Sequence, residues 1–359
     1  MYLSLNQQNA IILALNFVPL QAMTKKKDIL QQQIPQVNQG NFDQLALQVF
    51  QYQAIHNPLY KAYLALIQVR PATVSTIYDI PFLPISFFKT QEVRTIHGEQ
   101  FTVQGKEVTT FSSSGTTGTT ASRHFVQDVN FYKQNTVMGF EAFYGAVADY
   151  CVLGLLPSYL ERSGSSLIAM VDHFIQLSKH PKSGFFLYDH AALADVLRQC
   201  QKTQQPTLLI GVSFALLDFA EQYSLDLSRI TIMETGGMKG RRKEITRQVL
   251  HTILQDAFQV DVIHSEYGMT ELLSQGYSKG KGIFYPTPTM KVLAREITDP
   301  FAVQKNNKTG VLNIIDLANL DSCAFIATDD LGKVAVDGSF EILGRLDSSD
   351  VRGCNLMVL

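Results

Sequence analysis

Residues 112–118 read Ser-Ser-Ser-Gly-Thr-Thr-Gly, five hydroxyl side chains and two glycines in seven positions. Glycine reaches φ > 0 and lets a backbone approach a ligand closely. Hydroxyls and free N–H groups donate to phosphate oxygens. This chemistry suits a cradle for nucleotide phosphates, although the same composition also describes an ordinary loop. Three more segments carry reactive or recognition groups. Glu234-Thr-Gly-Gly-Met-Lys-Gly240 leaves an apolar run and leads towards a helical pattern at Arg241, so a planar ring could lie against its backbone. Ser265-Glu-Tyr-Gly-Met-Thr-Glu271 places a hydroxyl beside a carboxylate, and oxygen ligands of that kind suit phosphate and Mg²⁺. Thr328-Asp-Asp-Leu-Gly332, with Gly344-Arg-Leu-Asp347 downstream, offers an Asp and an Arg that could grip ribose hydroxyls.

Cys354 lies near the end of the sequence, between Gly353 and Asn355. A thiolate there would be a nucleophile on a glycine-flanked tail. Read from the residues alone, a packed or frayed cysteine is the commoner meaning. Cys151, Cys200 and Cys323 sit in apolar surroundings and read as buried small hydrophobes. There is no CxxC pair and no His-x-x-His, so neither a disulfide framework nor a transition-metal site is expected.

These segments need a scaffold, and the pattern supplies one. Residues 1–80 read as helical, with Pro58 marking a break near Asn57, and the two prolines in 80–89 exclude a regular helix there. Short apolar runs at 151–156, 185–188, 207–210, 230–233 and 260–263 read as strands. Helical stretches fall between them at 131–146, 190–201, 214–223 and 242–258. Such alternation predicts a parallel α/β sheet with helices on both faces. In such sheets ligand loops gather at the carboxyl ends of the strands. Beyond 280 the strand signals crowd together at 290–292, 311–316, 325–327, 333–336 and 340–342, which predicts a smaller β-rich subdomain. The expected division is a helical segment at 1–100, an α/β core at 101–280, and a β-rich part with its tail at 281–359.

The bulk properties agree. Thirty basic against 32 acidic residues leave a net charge of −2, so nothing in the charge favours nucleic acid or an anionic membrane. No apolar stretch reaches the length of a membrane span, and the apolar N-terminus lacks a preceding basic region, so a cytoplasmic location is expected. Gly211-Val-Ser-Phe-Ala215 approaches a hydrolase nucleophile elbow but has Ala where the second Gly belongs.

Taken in order, the segments resemble the acyl-adenylate-forming superfamily of acyl- and aryl-CoA ligases, adenylation domains and firefly luciferases. Ser113-Ser-Gly-Thr-Thr-Gly118 matches its phosphate loop and Gly236-Gly237 its adenine-side glycines. Tyr267-Gly-Met-Thr-Glu271 matches its Tyr-Gly-x-Thr-Glu motif in full. Thr328-Asp-Asp-Leu331 stands for Thr-Gly-Asp-Leu with Asp329 in place of Gly, and Gly344-Arg-Leu-Asp347 matches its hinge. Ile80-Pro-Phe-Leu-Pro-Ile-Ser-Phe-Phe-Lys89, Leu156-Pro-Ser-Tyr-Leu-Glu-Arg162, Gly211-Val-Ser-Phe-Ala-Leu-Leu217 and Thr235-Gly-Gly-Met-Lys-Gly-Arg-Arg-Lys243 look more narrowly like the acyl-protein synthetases of bacterial luminescence, which are similar to phenylacetate-CoA ligases.

The resemblance implies the large N-terminal domain of the adenylate-forming fold, without the mobile C-terminal domain of full-length relatives. It also implies ATP and Mg²⁺, a long-chain fatty acid as substrate, and an acyl reductase or acyl carrier as partner. The implied reaction makes an acyl-adenylate and passes the acyl group to a cysteine near the C-terminus, which is Cys354 here. The alternatives are transfer to CoA or a carrier protein with a partner completing the site, or a degenerate nucleotide-binding homologue. In the implied roles Ser113, Ser114, Gly115, Thr116, Thr117 and Gly118 hold the departing phosphates and Thr270 the α-phosphate. Glu271 binds Mg²⁺, and Asp330 and Arg345 fix the ribose. Gly236, Gly237, Tyr267 and Gly268 line the nucleotide site. The loop departs from the family at its end, where Thr120-Ala121 replace Pro-Lys and Arg123 is the nearest cation.

Overall fold

The computed structural model describes residues 20–96, 108–113, 120–157, 164–236 and 245–346. Three helices come first: α1 (Leu20–Gln33), α2 (Phe42–His56) and α3 (Pro58–Leu66). The break expected near Asn57 is real. Pro58 cannot donate into a continuing helix, and Asn57 starts α3 by accepting from Tyr60 N at 2.9 Å. Strand β1 (Leu83–Pro84) and the single turn α4 (Phe87–Thr90) follow. Strands β2 (Thr109–Ser112) and β3 (Arg123–Val126) form an antiparallel hairpin.

Helix α5 (Val129–Tyr144) opens the alternating part and is capped by Asp128, which accepts from Asn130 N and Phe131 N. Then come β4 (Cys151–Leu155), α6 (Ser166–Ser178), β5 (Gly184–Phe185), α7 (His190–Thr203), β6 (Thr207–Val212), α8 (Ser213–Gln222), β7 (Thr231–Thr235), α9 (Arg247–Phe258) and β8 (His264–Tyr267). Six more strands complete the order: β9 (Gly276–Ser278), β10 (Ile283–Pro286), β11 (Met290–Arg295), β12 (Thr309–Asp316), β13 (Phe325–Val334) and β14 (Phe340–Arg345).

Hydrogen bonds join these strands into one path, β5-β4-β6-β7-β8-β9-β10-β14-β13-β12-β11, with β1 added beside β13. The first five are parallel and the rest of the path is antiparallel. Every residue of β4 and β6 is buried, as expected of parallel strands covered on both faces. In β11 only Met290, Val292 and Ala294 turn inward, the alternation of a half-covered antiparallel strand. The apolar interior forms two clusters. One lies between the parallel strands and helices α5–α9; the other packs α2, α3 and the 74–93 segment on the antiparallel strands.

Several expectations shift: the strands expected at 325–327 and 333–336 are the single strand β13, and the one expected at 185–188 is only Gly184–Phe185. The strand expected at 260–263 lies four residues later, at His264–Tyr267, where His264 pairs with Met233 of β7. Gln259 ends α9 in a left-handed conformation, and Asp261 and Val262 remain exposed as the chain turns back. The strand itself reads His-Ser-Glu-Tyr, so an apolar criterion passes over it. Helix α9 begins at Arg247 rather than 242, with Thr246 accepting from Val249 N at 3.3 Å. Among the described residues no helix is long and apolar enough to cross a membrane.

Candidate active site

The hydroxyl- and glycine-rich segment links β2 to β3, whose ladder ends with Ser112 opposite Arg123. Its neck is closed by two bonds: Ser113 N donates to Ser122 O at 3.0 Å, and Ser122 N donates to Ser113 Oγ at 2.9 Å. Ser112 N adds a bond to Gly164 O at 2.8 Å. Ser114, Gly115, Thr116, Thr117 and Gly118 lie outside the described residues, as do Gly237 and Cys354. Arg123 stands at the hairpin neck with its side chain exposed.

The hairpin is fastened to the segment after β8. His124 Nδ1 lies 2.8 Å from Thr270 O. A carbonyl only accepts, so Nδ1 carries the proton. Burial pushes the His124 pKa down to about 4, against the support of that bond, which keeps the ring neutral. Beside it, Glu271 is buried. Burial raises its pKa, while a hydrogen bond from Ser122 and the charges of Arg345 and Lys89 pull it back. Thr270 and Glu271 thus stand next to the neck of the loop that precedes them by 150 residues.

The backbone of this segment is held from the opposite side. Asp316, at the end of β12, is fully buried and accepts from Leu273 N at 2.7 Å, Ser274 N at 3.0 Å, Ser274 Oγ at 2.6 Å and Ala318 N at 3.1 Å. Asn319 Nδ2 donates to Glu271 O at 2.9 Å. Asn135 of α5 extends the network, donating to Leu273 O at 2.8 Å and accepting from Thr289 Oγ1 at 2.9 Å.

Tyr267, Asp330 and Arg345 meet. The tyrosine hydroxyl donates to Asp330 Oδ2 at 2.8 Å, and Arg345 Nε lies 3.7 Å from Asp330 Oδ1. Ladder pairing of β13 with β14 sets Asp330 directly opposite Arg345. Burial raises the Asp330 pKa, opposed by the Tyr267 hydroxyl and the Arg345 charge. Arg345 itself is largely exposed, so this pair contributes orientation more than stability. The ring of Tyr267 is 8% exposed and packs edge-on against Phe284 and Phe340. Here its hydroxyl aims a carboxylate, and little of its face is open. Segment 80–89 braces this region, because β1 pairs with Ile326 and Ala327 of β13, upstream of Asp330.

At the end of β7, Gly236 has φ +68°, a conformation that favours glycine, and its carbonyl accepts from Ser213 Oγ at 3.2 Å. At Gly268 a Cβ would meet Glu266 Oε1, so a larger residue there would displace that carboxyl.

Sequence reasoning passed over two buried carboxylates here. Glu234 meets Arg247 Nε at 3.1 Å, His251 Nε2 at 3.5 Å and Ser213 Oγ at 3.3 Å. Burial alone would raise its pKa, yet His251 and Arg247 hold it below the ordinary value. Glu266 accepts from the Thr235 hydroxyl, and burial, with Glu234 adding repulsion, carries its pKa to about 7. Both acids sit inside segments singled out for their neighbours. The available signal was a charged residue within a strand. Among the described residues no three His, Cys, Asp or Glu side chains group to hold a metal.

Sequence comparison finds no matching family model and no matching curated protein. Solved structures do match in shape. ATP-bound MatB from Rhodopseudomonas palustris superposes with a TM-score of 0.51 at 14% identity, over 70% of this chain and 50% of that one. The ATP-bound RpMatB-BxBclM chimera B3 gives 0.50 at 15% identity, over 70% and 50%. The chain thus spans about half the length of these structures. At such identities the likeness concerns the fold alone, and it is the α/β fold expected from the sequence, a large sheet flanked by helices.

Proposed function

We propose that this chain activates a carboxylic acid with ATP, forming an acyl-adenylate and releasing pyrophosphate. The observation that carries this reading is the convergence around Arg345. Tyr267 and Asp330 bond to each other beside it, and its charge acts on Glu271, which shares Ser122 with the neck of the hydroxyl loop. A carboxylate is a poor electrophile because its leaving group would be oxide; an adenylate supplies a good one. Attack of the substrate carboxylate on the α-phosphorus breaks the bond to pyrophosphate, and such steps depend on positioning and charge stabilisation. The 113–118 loop would hold the departing phosphates, with Thr270 at the α-phosphate. The carboxyl of Asp330, already oriented by Tyr267, would accept from ribose hydroxyls. Glu271 fits a cation, since burial disfavours its charge and a cation would favour it. Mg²⁺ bound there would neutralise phosphate charge.

The substrate in this reading is a long-chain fatty acid. The acyl group then passes to the Cys354 thiolate, forming a thioester and releasing AMP, for delivery to an acyl reductase or carrier protein. The test is ATP–pyrophosphate exchange across a panel of carboxylic acids, with and without CoA. Exchange that depends on a fatty acid and falls at least 100-fold in Glu271→Ala supports the reading. No exchange with any acid, or full exchange in Glu271→Ala, refutes it.

A further inference from the structure

Away from this site, a groove of about 480 Å³ lies between the stretch that follows α3 and the end of β11 with its return loop. That volume is within the roughly 300–1,000 Å³ typical of small-molecule sites. Ile67, Val69, Ile80, Phe82, Leu293 and Phe301 supply apolar wall. The return loop is tied shut by Glu296 N to Ala302 O and Gln304 N to Ala294 O, both 2.8 Å. This closure leaves Phe301 60% exposed at the groove, and Tyr78 across from it is 57% exposed. Apolar surface kept in contact with water at a concave site is a mark of binding.

Among the described residues one cation lines this groove, beside the polar groups of Thr73, Asp79 and Asn313. Arg295 is half-buried, and its guanidinium is fixed by three protein acceptors. Nη1 donates to Leu312 O at 3.2 Å and Asn313 Oδ1 at 2.8 Å, and Nη2 donates to Thr328 O at 2.8 Å. Guanidinium carries five N–H donors. Nε–H and one Nη2–H therefore have no protein acceptor among the described residues. No carboxylate there comes within ion-pair distance of Arg295; Asp329 acts on it only through its field. The one carboxylate lining the groove, Asp79, is exposed and engaged with the N–H and hydroxyl groups of Ser75 and Thr76. A partly desolvated cation with no carboxylate in contact among the described residues favours an anion, and two free guanidinium donors suit a carboxylate.

We propose that this groove binds a medium-chain aliphatic carboxylate, its head group on Arg295 and its chain along the wall formed by Ile80, Phe82 and Phe301. The binding requires no ATP and no residue of the adenylation site, so it stands or falls separately from the proposed reaction. The experiment uses the full chain without nucleotide. Decanoate and decanol are titrated by calorimetry, and a diazirine-bearing decanoate is photocrosslinked and mapped by peptide mass spectrometry. We expect decanoate to bind at one site, labelling to fall within 67–82 or 290–303, and decanol to bind at least tenfold more weakly. Phe301→Glu, at an exposed position where folding should tolerate change, should weaken decanoate at least tenfold. Arg295→Gln should remove the preference for acid over alcohol. Absence of binding, labelling confined to other segments, equal affinity for decanol, or unchanged binding in Phe301→Glu would each overturn the proposal.

Discussion

Replacing Asp316 should unfasten the segment that carries Thr270 and Glu271, and the hydrogen bonds give the size of the effect. In Asp316→Ala the hydroxyl of Ser274 can turn to Thr289 Oγ1, 2.7 Å away, and Asn319 Nδ2 keeps Glu271 O. The N–H groups of Leu273, Ser274 and Ala318 have no such second partner among the described contacts. Each orphaned buried donor costs about 1–3 kcal/mol. With some relief from water entering the space left by the carboxylate, the variant should lose about 3–6 kcal/mol. Most point substitutions cost nearer 1 kcal/mol. Asp316→Asn separates this cause from simple loss of packing. Its amide oxygen can accept from Leu273 N and Ser274 N while its NH₂ donates to Ser274 Oγ, leaving only Ala318 N orphaned. It should cost about 1–3 kcal/mol. Urea unfolding of the three proteins, compared at equal m-values, measures both differences. An Asp316→Ala loss below about 1 kcal/mol, or an Asn variant no more stable than the Ala variant, would show that the carboxylate is not the anchor described.

Other expectations follow from the same geometry. Glu266 has a folded pKa raised from 4.5 to about 7, so its contribution to stability is fully present below about pH 4.5 and lost as pH rises through about 7. That displacement corresponds to about 3 kcal/mol, and Glu266→Gln should flatten the stability profile between pH 5 and 8.5. An unchanged slope in denaturation series across that range would count against a buried, titrating Glu266. Tyr267→Phe removes the hydroxyl that aims Asp330 and should raise the KM for ATP roughly tenfold, the scale of a hydrogen bond to a charged group; an unchanged KM would remove Asp330 from ribose binding. Cys354→Ser should keep fatty-acid-dependent exchange and lose covalent acylation. Acid-stable labelling by radioactive fatty acid that survives the change would show that Cys354 is not the acceptor.

Much of the framework was legible before any coordinates. Apolar runs marked β4, β6 and the start of β7, because parallel strands covered on both faces bury mostly apolar side chains. Pro58 and Asn57 fixed the boundary between α2 and α3 through local rules alone. The residue types at 267–271, 330 and 345 singled out side chains of which the fold brings Tyr267, Asp330 and Arg345 together. Local pattern was blind where polarity is buried. Strand β8 reads His-Ser-Glu-Tyr, and only pairing with β7 together with compensation from Thr235, Tyr144 and Asp330 lets those groups lie inside. The partners come from remote parts of the chain. His124 reaches Thr270 across 146 residues, and Tyr267 reaches Asp330 across 63. A residue type can announce that it needs an acceptor or a counter-ion, but which distant group provides it depends on strand order and ladder register. Those are properties of the tertiary structure, and they make an anchor of Asp316 and leave Arg295 without a carboxylate partner among the described residues.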